Sequence, residues 1–479
     1  MKFWQHLLLI GLALFGLFEG RAQTSASEDV LLKTLQHQAD SLIQVYKKTS
    51  MPAYFLSYRV DKEEQFRMSA LSGSLTDNQS SRQSVLTIQI RVGSEEMDNF
   101  YTIDNCSDEV PQTKTIKLPL DDNELIIAQI INLETEKAYR EACQQYVQAL
   151  SELSDRQYTH EKKGEYVKPL PYAYYEMPIE SIFFDETEVR HLMESATGDI
   201  LQNVECAAVF QCDNNRKYFV SSEGAAIVQN FTHTSLQLEL TALSENGIPV
   251  HLPEKYDVEF PNELPSAESL KRDVQKMEST LSALRKLEKT SESFCPVVFS
   301  NEAAGVFWQQ SLVPMLTRSL VRDGENLLPS DVSVVSDPLS SLSDDCRLSG
   351  SYRYDDEGYE GQKRKLVDNG MLVEALYSST CNADYFLSNG HGRAVAGQQP
   401  ARVPANLMVT TSRPHSDEEL WSALRQEILK QGKPFGYWVE AASISDDGNS
   451  IQPLIMWKVY ADNRKPDEPV YGVEFVGTP

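Results

Sequence analysis

The sequence predicts an α+β protein of two domains, an N-terminal α/β domain with long helices and a strand-rich C-terminal domain. Three observations predict it. Helical stripes and alternating strands interleave in the first half, Asn-Gly and other hairpin signals dominate the second, and a polar break at Thr290 to Ser293 parts them. A mature chain of about 455 residues is also longer than one ordinary core accommodates. The expected organisation is a signal peptide over 1–22, the first domain over 23–290 and the second over 291–479.

The leader comes first. Lys2 supplies positive charge, Leu7 to Phe18 is apolar plus glycine, and Gly20 and Ala22 place small residues at the −3 and −1 positions of a cut after Ala22. That order is the one a secretory signal uses, and the run is shorter than the about 20 apolar residues that span a bilayer. An uncleaved anchor is the other reading of the same run. No later segment reads as apolar enough to cross a membrane, so a soluble, exported protein is expected, periplasmic or extracellular. A net charge of −26 argues against a nucleic-acid partner, which calls for a basic face. Seven cysteines are scattered, with no CxxC pair to suggest a zinc knuckle or a thioredoxin-like site. An oxidising compartment admits a bridge such as Cys206 to Cys212; buried free thiols are the alternative.

Ser27 to Tyr46 reads as a helix, with Val30, Leu31, Leu35, Ala39, Leu42 and Val45 on one face and Ser27-Glu28-Asp29 at its start. Strands follow at Tyr54 to Val60 and Leu86 to Val92, where apolar residues alternate. A helix is expected from Thr135 to Leu153, and further strands at Lys217 to Ser221 and Leu236 to Leu240. Ser266 to Leu287 carries the clearest stripe, Leu270, Val274, Met277, Leu281 and Leu284, as one helix covering a sheet does. Later, Asp368-Asn369-Gly370 between two apolar runs signals a tight hairpin, because both turn residues need positive φ. A helix from Ser416 to Gln431 and a pairing of Leu454 to Tyr460 with Val470 to Val476 complete the reading.

Chemistry is harder to place. The eight histidines include no pair three to five residues apart, so no HExxH helix is present. Two segments stand out. In Tyr354-Asp355-Asp356-Glu357-Gly358, acidic groups crowd a turn. In Ser388-Asn389-Gly390-His391-Gly392-Arg393, glycines on both sides of His391 let the backbone bend and leave the imidazole unshielded. Arg393 can fork onto a carboxylate, either a peptide terminus or an acidic neighbour. The bland readings are an acidic turn and a flexible loop.

The order and wording of these segments resemble the TldD/PmbA family of metallopeptidases and their relatives. The matching pieces include Tyr218 to Gly224, Pro296 to Gly305, Tyr354 to Gly358, the Asp-Asn-Gly hairpin, Ser388 to Arg393, Gly432 to Gly436 and Gly472 to Pro479. The Thr135 to Tyr146 helix resembles the exported branch of that family. The resemblance implies a metallopeptidase, with a His-Glu-x-x-x-His helix whose histidines bind zinc and whose glutamate is the base. Here those positions are Asn301, Glu302 and Val306. Valine cannot ligate a metal and asparagine is a poor zinc ligand, so no metal and no cofactor is expected, and Glu302 is left as the one catalytic residue the resemblance offers. It also implies further strands and a metal-binding cysteine beyond the position of Pro479, hence an open sheet edge near the end.

Three functions follow from the resemblance. One is a peptidase with an altered site that draws on His391, Cys381 or the Asp355 to Glu357 run. Another is a non-catalytic subunit that binds extended peptides, with Asp356, Glu357, His391 and Arg393 as contacts, and that pairs with itself or with an active homologue. The last is a scaffold that keeps only the fold. Without a means of activating water, the second is favoured over the first.

Overall fold

The computed structural model describes residues 25–100, 115–155, 166, 168–179, 184–287, 294–317, 324–343, 346–379, 388–445, 448, 450–462 and 464–475. The export signal, the polar break at 290–293, Cys106 and Cys381 lie outside the described residues.

Helix α1 (Val30–Tyr46) begins where the sequence places it, because Asp29 caps it: its Oδ1 accepts the Leu32 N–H at 2.9 Å. The buried face keeps Leu31, Leu35 and Ala39 from the expected stripe but adds Ile43 and Tyr46, leaving Val30 and Val45 exposed. After it come β1 (Ala53–Leu71), β2 (Ser74–Val92), β3 (Ile116–Lys117), α2 (Glu124–Asp155), β4 (Ala173–Tyr175), α3 (Glu186–Thr197), β5 (Val204–Ser221), β6 (Ala226–Leu243), β7 (Pro249–Val258) and α4 (Ala267–Leu284). The strands form one seven-stranded sheet in the order β3-β2-β1-β5-β6-β4, with β7 also on β6. The long hairpins β1–β2 and β5–β6 are antiparallel, whereas β4 runs parallel to β6.

The side chains of even-numbered residues such as Tyr58, Val60, Met68, Tyr218 and Phe210 share one face of the long strands, and the helices bury it. α1 and α2 cover one half, and α3 and α4 the other. The α4 stripe is buried against this sheet as expected, and Ser266 caps that helix. Cys206 and Cys212 also point into this core from β5. They lie about 20 Å apart along one extended strand, beyond disulfide reach, so the suggested bridge does not form. Both are buried free thiols, and burial pushes them up to about 12 and 11.

The opposite face of the proximal sheet is polar and still buried: Arg59, Asp61, Thr87, Gln89 and Arg91 are all sealed. The second half of the chain covers it. There the elements are β8 (Val297–Phe299), α5 (Asn301–Ser311), α6 (Val313–Thr317), β9 (Val332–Asp337), β10 (Leu342–Ser343), β11 (Cys346–Arg347), β12 (Arg364–Asp368), β13 (Met371–Leu372), β14 (Gly392–Arg393), β15 (Ala401–Arg402), β16 (Asn406–Thr411), α7 (Asp417–Lys430), β17 (Phe435–Ile444), β18 (Ile451–Tyr460) and β19 (Glu468–Val470). One four-stranded sheet runs β19-β18-β17-β8 and another β13-β12-β9-β16. The first is sandwiched: α5 packs with Tyr437 and Val439, while Leu424 and Ile428 of α7 pack with Trp438 on the other side. The Asn-Gly hairpin joins β12 to β13, with φ of 48° at Asn369 and 83° at Gly370. The closing pairing forms in a displaced register: β18 pairs with β19 at Glu468 to Val470, earlier than the expected Val470 to Val476, of which Phe475 bridges to Ile451. Among the described residues no helix is long and apolar enough to cross a membrane.

Candidate functional site

Two places carry the site residues that the sequence singles out, and the fold does not bring them together. The first is the start of α5. Ser300 fastens it to β17, donating to the Val439 carbonyl from its N–H at 2.9 Å and from its hydroxyl at 3.2 Å. Asn301 follows with φ of 48°, a left-handed conformation that asparagine tolerates better than most residues. Asn301 and Glu302 are both exposed. Glu302 makes no hydrogen bond or ion pair among the described residues. Its charge lies near Glu254 on β7, whose carboxyl is raised, first by burial and then by Glu302.

Val306, one turn on, belongs to an apolar cluster with Phe299, Phe307 and Phe475. A zinc ion does not fit these residues. One implied ligand is a hydrocarbon packed among rings, another is an exposed amide, and among the described residues no three His, Cys, Asp or Glu side chains converge as a metal set. Glu302 is a solvated carboxylate in a first helical turn, where the helix dipole favours it.

The second place is the meeting of the acidic turn with the glycine loop. Asp355 accepts the N–H groups of Glu357 and Tyr359 at Oδ1, 3.0 and 2.9 Å, and that of Gly392 at Oδ2, 3.0 Å. Asp356 receives Lys217 Nζ at 2.9 Å, the Ala394 N–H at 2.8 Å and Arg393 Nε at 3.1 Å. Burial alone raises an acid of this kind; here Arg393, then Lys217 and Arg59, outweigh it and hold Asp356 far below the usual carboxylate range. Glu357 takes the N–H and the hydroxyl of Ser379. Arg393 lies over the Tyr352 ring, 4.0 Å from its centre.

These contacts turn the expected substrate groups inward. Asp356 and Glu357 are buried, and His391 is fully so. The unshielded imidazole expected of a glycine-flanked loop is absent, because Gly390 and Gly392 let the loop lie flat against the acidic turn instead of opening to solvent. Of the two partners foreseen for Arg393, the acidic neighbour is the one the fold supplies. His391 contacts the Asn389 carbonyl through Nδ1 at 2.9 Å and the Ser336 hydroxyl through Nε2 at 2.9 Å. Ser336 also accepts the Ala405 N–H at 3.0 Å. A serine beside a histidine has the outline of a nucleophile pair, yet both residues are sealed from solvent, and burial lowers the imidazole to about 4. The pair is a neutral structural bridge.

Sequence reasoning missed the partners in the other half of the chain. Lys217 on β5, Arg59 on β1 and Gln229 on β6 all reach across. Arg59 donates to the carbonyls of Val395 and Gln398 at 3.0 and 2.7 Å, Lys217 to that of Ala394 at 2.9 Å, and Gln229 both donates to Tyr354 and accepts from Arg353 and Tyr354. The available signal was Arg59 and Asp61, opposite charges two residues apart on one strand face, ion-paired at 3.0 Å. Read alone, that pattern means a solvated face.

A seven-stranded sheet with helices on one face, capped on the other by the strand-rich second half of the chain, defines an α+β protein. The second half of the chain is similar to the TldD/PmbA family. Residues 291–443 match the PmbA/TldA metallopeptidase C-terminal domain. Over 145 residues the chain is 28% identical to a metalloprotease of Methanocaldococcus jannaschii, an alignment covering 29% of this chain and 32% of that protein; the chain thus matches about a third of the relative's length. The fold is similar to that of a Thermotoga maritima protein described as a modulator of a DNA gyrase, with a TM-score of 0.59, 15% identity, and coverage of 92% of this chain and 91% of the other. It is also similar to TldE from Thermococcus kodakarensis, with a TM-score of 0.57, 14% identity and 88% of each chain covered.

Proposed function

We propose that this protein is an exported TldD/PmbA relative that handles extended peptides without zinc hydrolysis, as a binding or partner subunit, alone or beside an active homologue. The observation that carries the reading is Val306. A ligand position of the family's zinc helix is occupied by a hydrocarbon side chain packed against Phe299 and Phe475. Peptide retention does not need that chemistry. Backbone pairing at a sheet edge supplies affinity by itself, and among the described residues β8 and β16 each end a sheet.

The reading is tested by incubating the purified full-length protein with casein and with short peptides, with and without a chelator. Peptides remain intact in both arms. Cleavage that the chelator abolishes overturns the proposal. Export has its own test: expressed in a Gram-negative host, the mature protein begins at Gln23 and leaves with the periplasmic fraction or the medium. An intact Met1 on cytoplasmic protein contradicts this part of the reading.

A further inference from the structure

We propose that Asp355 and Glu357 retain a proton between them in the seam joining the N-terminal sheet to the C-terminal loops, so that the seam weakens as pH rises. The seam holds four buried or half-buried cations among the described residues, and each is committed. Arg91 pairs with Asp98 at 2.6 Å, Arg59 with Asp61 at 3.0 Å, and Lys217 and Arg393 both with Asp356, at 2.9 and 3.1 Å. Asp355 and Glu357 bring the carboxyls to five. Fully ionised, the described groups of the sealed region carry one excess negative charge, which burial disfavours.

Geometry singles out the pair that takes the proton. Asp355 and Glu357 are 1% and 4% exposed, and among the described residues only neutral donors hydrogen-bond them: the Glu357, Tyr359 and Gly392 N–H groups for one, Ser379 for the other. They straddle Gly392. Its N–H reaches Asp355 at 3.0 Å, and a Cβ placed on it falls 2.3 Å from Glu357 Oε2. The groups facing the pair are Arg91 on β2, Tyr54 on β1, Tyr166, and Tyr359 and Asp356 on the turn itself. The phenols are pushed up by burial and stay neutral. Both carboxyls are raised, Asp355 by burial and then by Glu357, and Glu357 by burial against the opposing pull of Ser379 and Arg91.

The sign follows from the raised values. Stabilisation is complete below the unfolded carboxylate range and is lost as pH climbs through the folded-state value. Other shifted groups titrate too: His391, lowered to about 4, contributes with the opposite sign around its unfolded value of about 6.5, and Glu254, raised by burial, with the same sign. Both are common to the wild type and the variants, so the difference between their profiles reports the pair.

The experiment is equilibrium urea unfolding of the full chain, wild type and variants side by side, at steps from about pH 5 to 8. In the wild type the folded-to-unfolded ratio falls by up to about tenfold per pH unit, the signature of one linked proton. Glu357→Gln, which carries no ionisable proton at that position, flattens the profile; Asp355→Asn does the same and serves where the first variant does not fold. Parallel profiles in the wild type and in the variants that fold overturn the proposal.

Discussion

Replacing Lys217 by methionine costs about 3–5 kcal/mol of folding stability, the usual penalty for stripping one partner from a buried ion pair. The ammonium is the hub of the seam. It lies 2.9 Å from Asp356, 2.9 Å from the Ala394 carbonyl and 3.6 Å from Asp61. Methionine keeps the stem's packing and removes only the charge, so the loss reports electrostatics rather than a cavity. Asp356 then keeps Arg393 but loses the cation from the sheet. Urea unfolding measures the cost. The internal control is Asp356→Asn in the Lys217→Met background, which recovers part of the loss because the stranded charge is gone. A single variant as stable as wild type contradicts the assignment of this lysine as the hub.

Gly390→Ala is the second large effect, about 2–5 kcal/mol when left-handed strain is added to overpacking. Gly390 has φ of 73°, and a Cβ built on it lies 2.2 Å from the Glu360 carbonyl, a backbone atom with nowhere to retreat. The Gly390 carbonyl also accepts the buried Tyr352 hydroxyl at 2.8 Å, so a shift there propagates to the ring that carries Arg393. Gly432 supplies the comparison. Its φ is 63° but no atom lies within 4 Å of the added Cβ, so alanine costs only the backbone strain, about 1–2 kcal/mol. Equal losses at the two glycines contradict the close-approach argument.

The elements that were legible in the sequence are those whose burial has a single period. The α4 stripe, the Asn369-Gly370 hairpin and the Ser416 cap, here a full capping box with Glu419, are each written in consecutive residues. The long strands were legible only in part. β2 runs from Ser74 to Val92, but its residues from Asn78 to Gln83 are exposed, so the strand is held there by pairing with β1 and carries no apolar alternation. α2 begins at Glu124 rather than Thr135 because its first turns place Leu125 and Ile126 outward, which blurs the helical stripe.

The site divides in the same way. The departure of Asn301 and Val306 from the histidines that the resemblance implies is a matter of residue identity, so the sequence alone carries it. The role of the acidic turn and of His391 was not legible. Arg59, Asp61 and Arg91 alternate with core residues, as they would on a solvent-facing sheet, and only the loops around residues 355 and 392, hundreds of positions away, convert that face into an interior. A glycine-flanked histidine reads as accessible until the surface it lies on is known. Charge in these strands therefore marked a seam between halves of the molecule, and the sequence offered no local pattern to separate that from a wet surface.

On the proposed reading the chain keeps the TldD/PmbA fold without a zinc site at α5. The measurement that decides it is zinc titration of the purified, metal-stripped full-length protein by calorimetry, followed by metal analysis after dialysis. No saturable one-to-one site and no retained zinc are expected, with the same result for Glu302→Gln. One zinc held per chain, and lost when Asn301 or Glu302 is replaced by alanine, contradicts it.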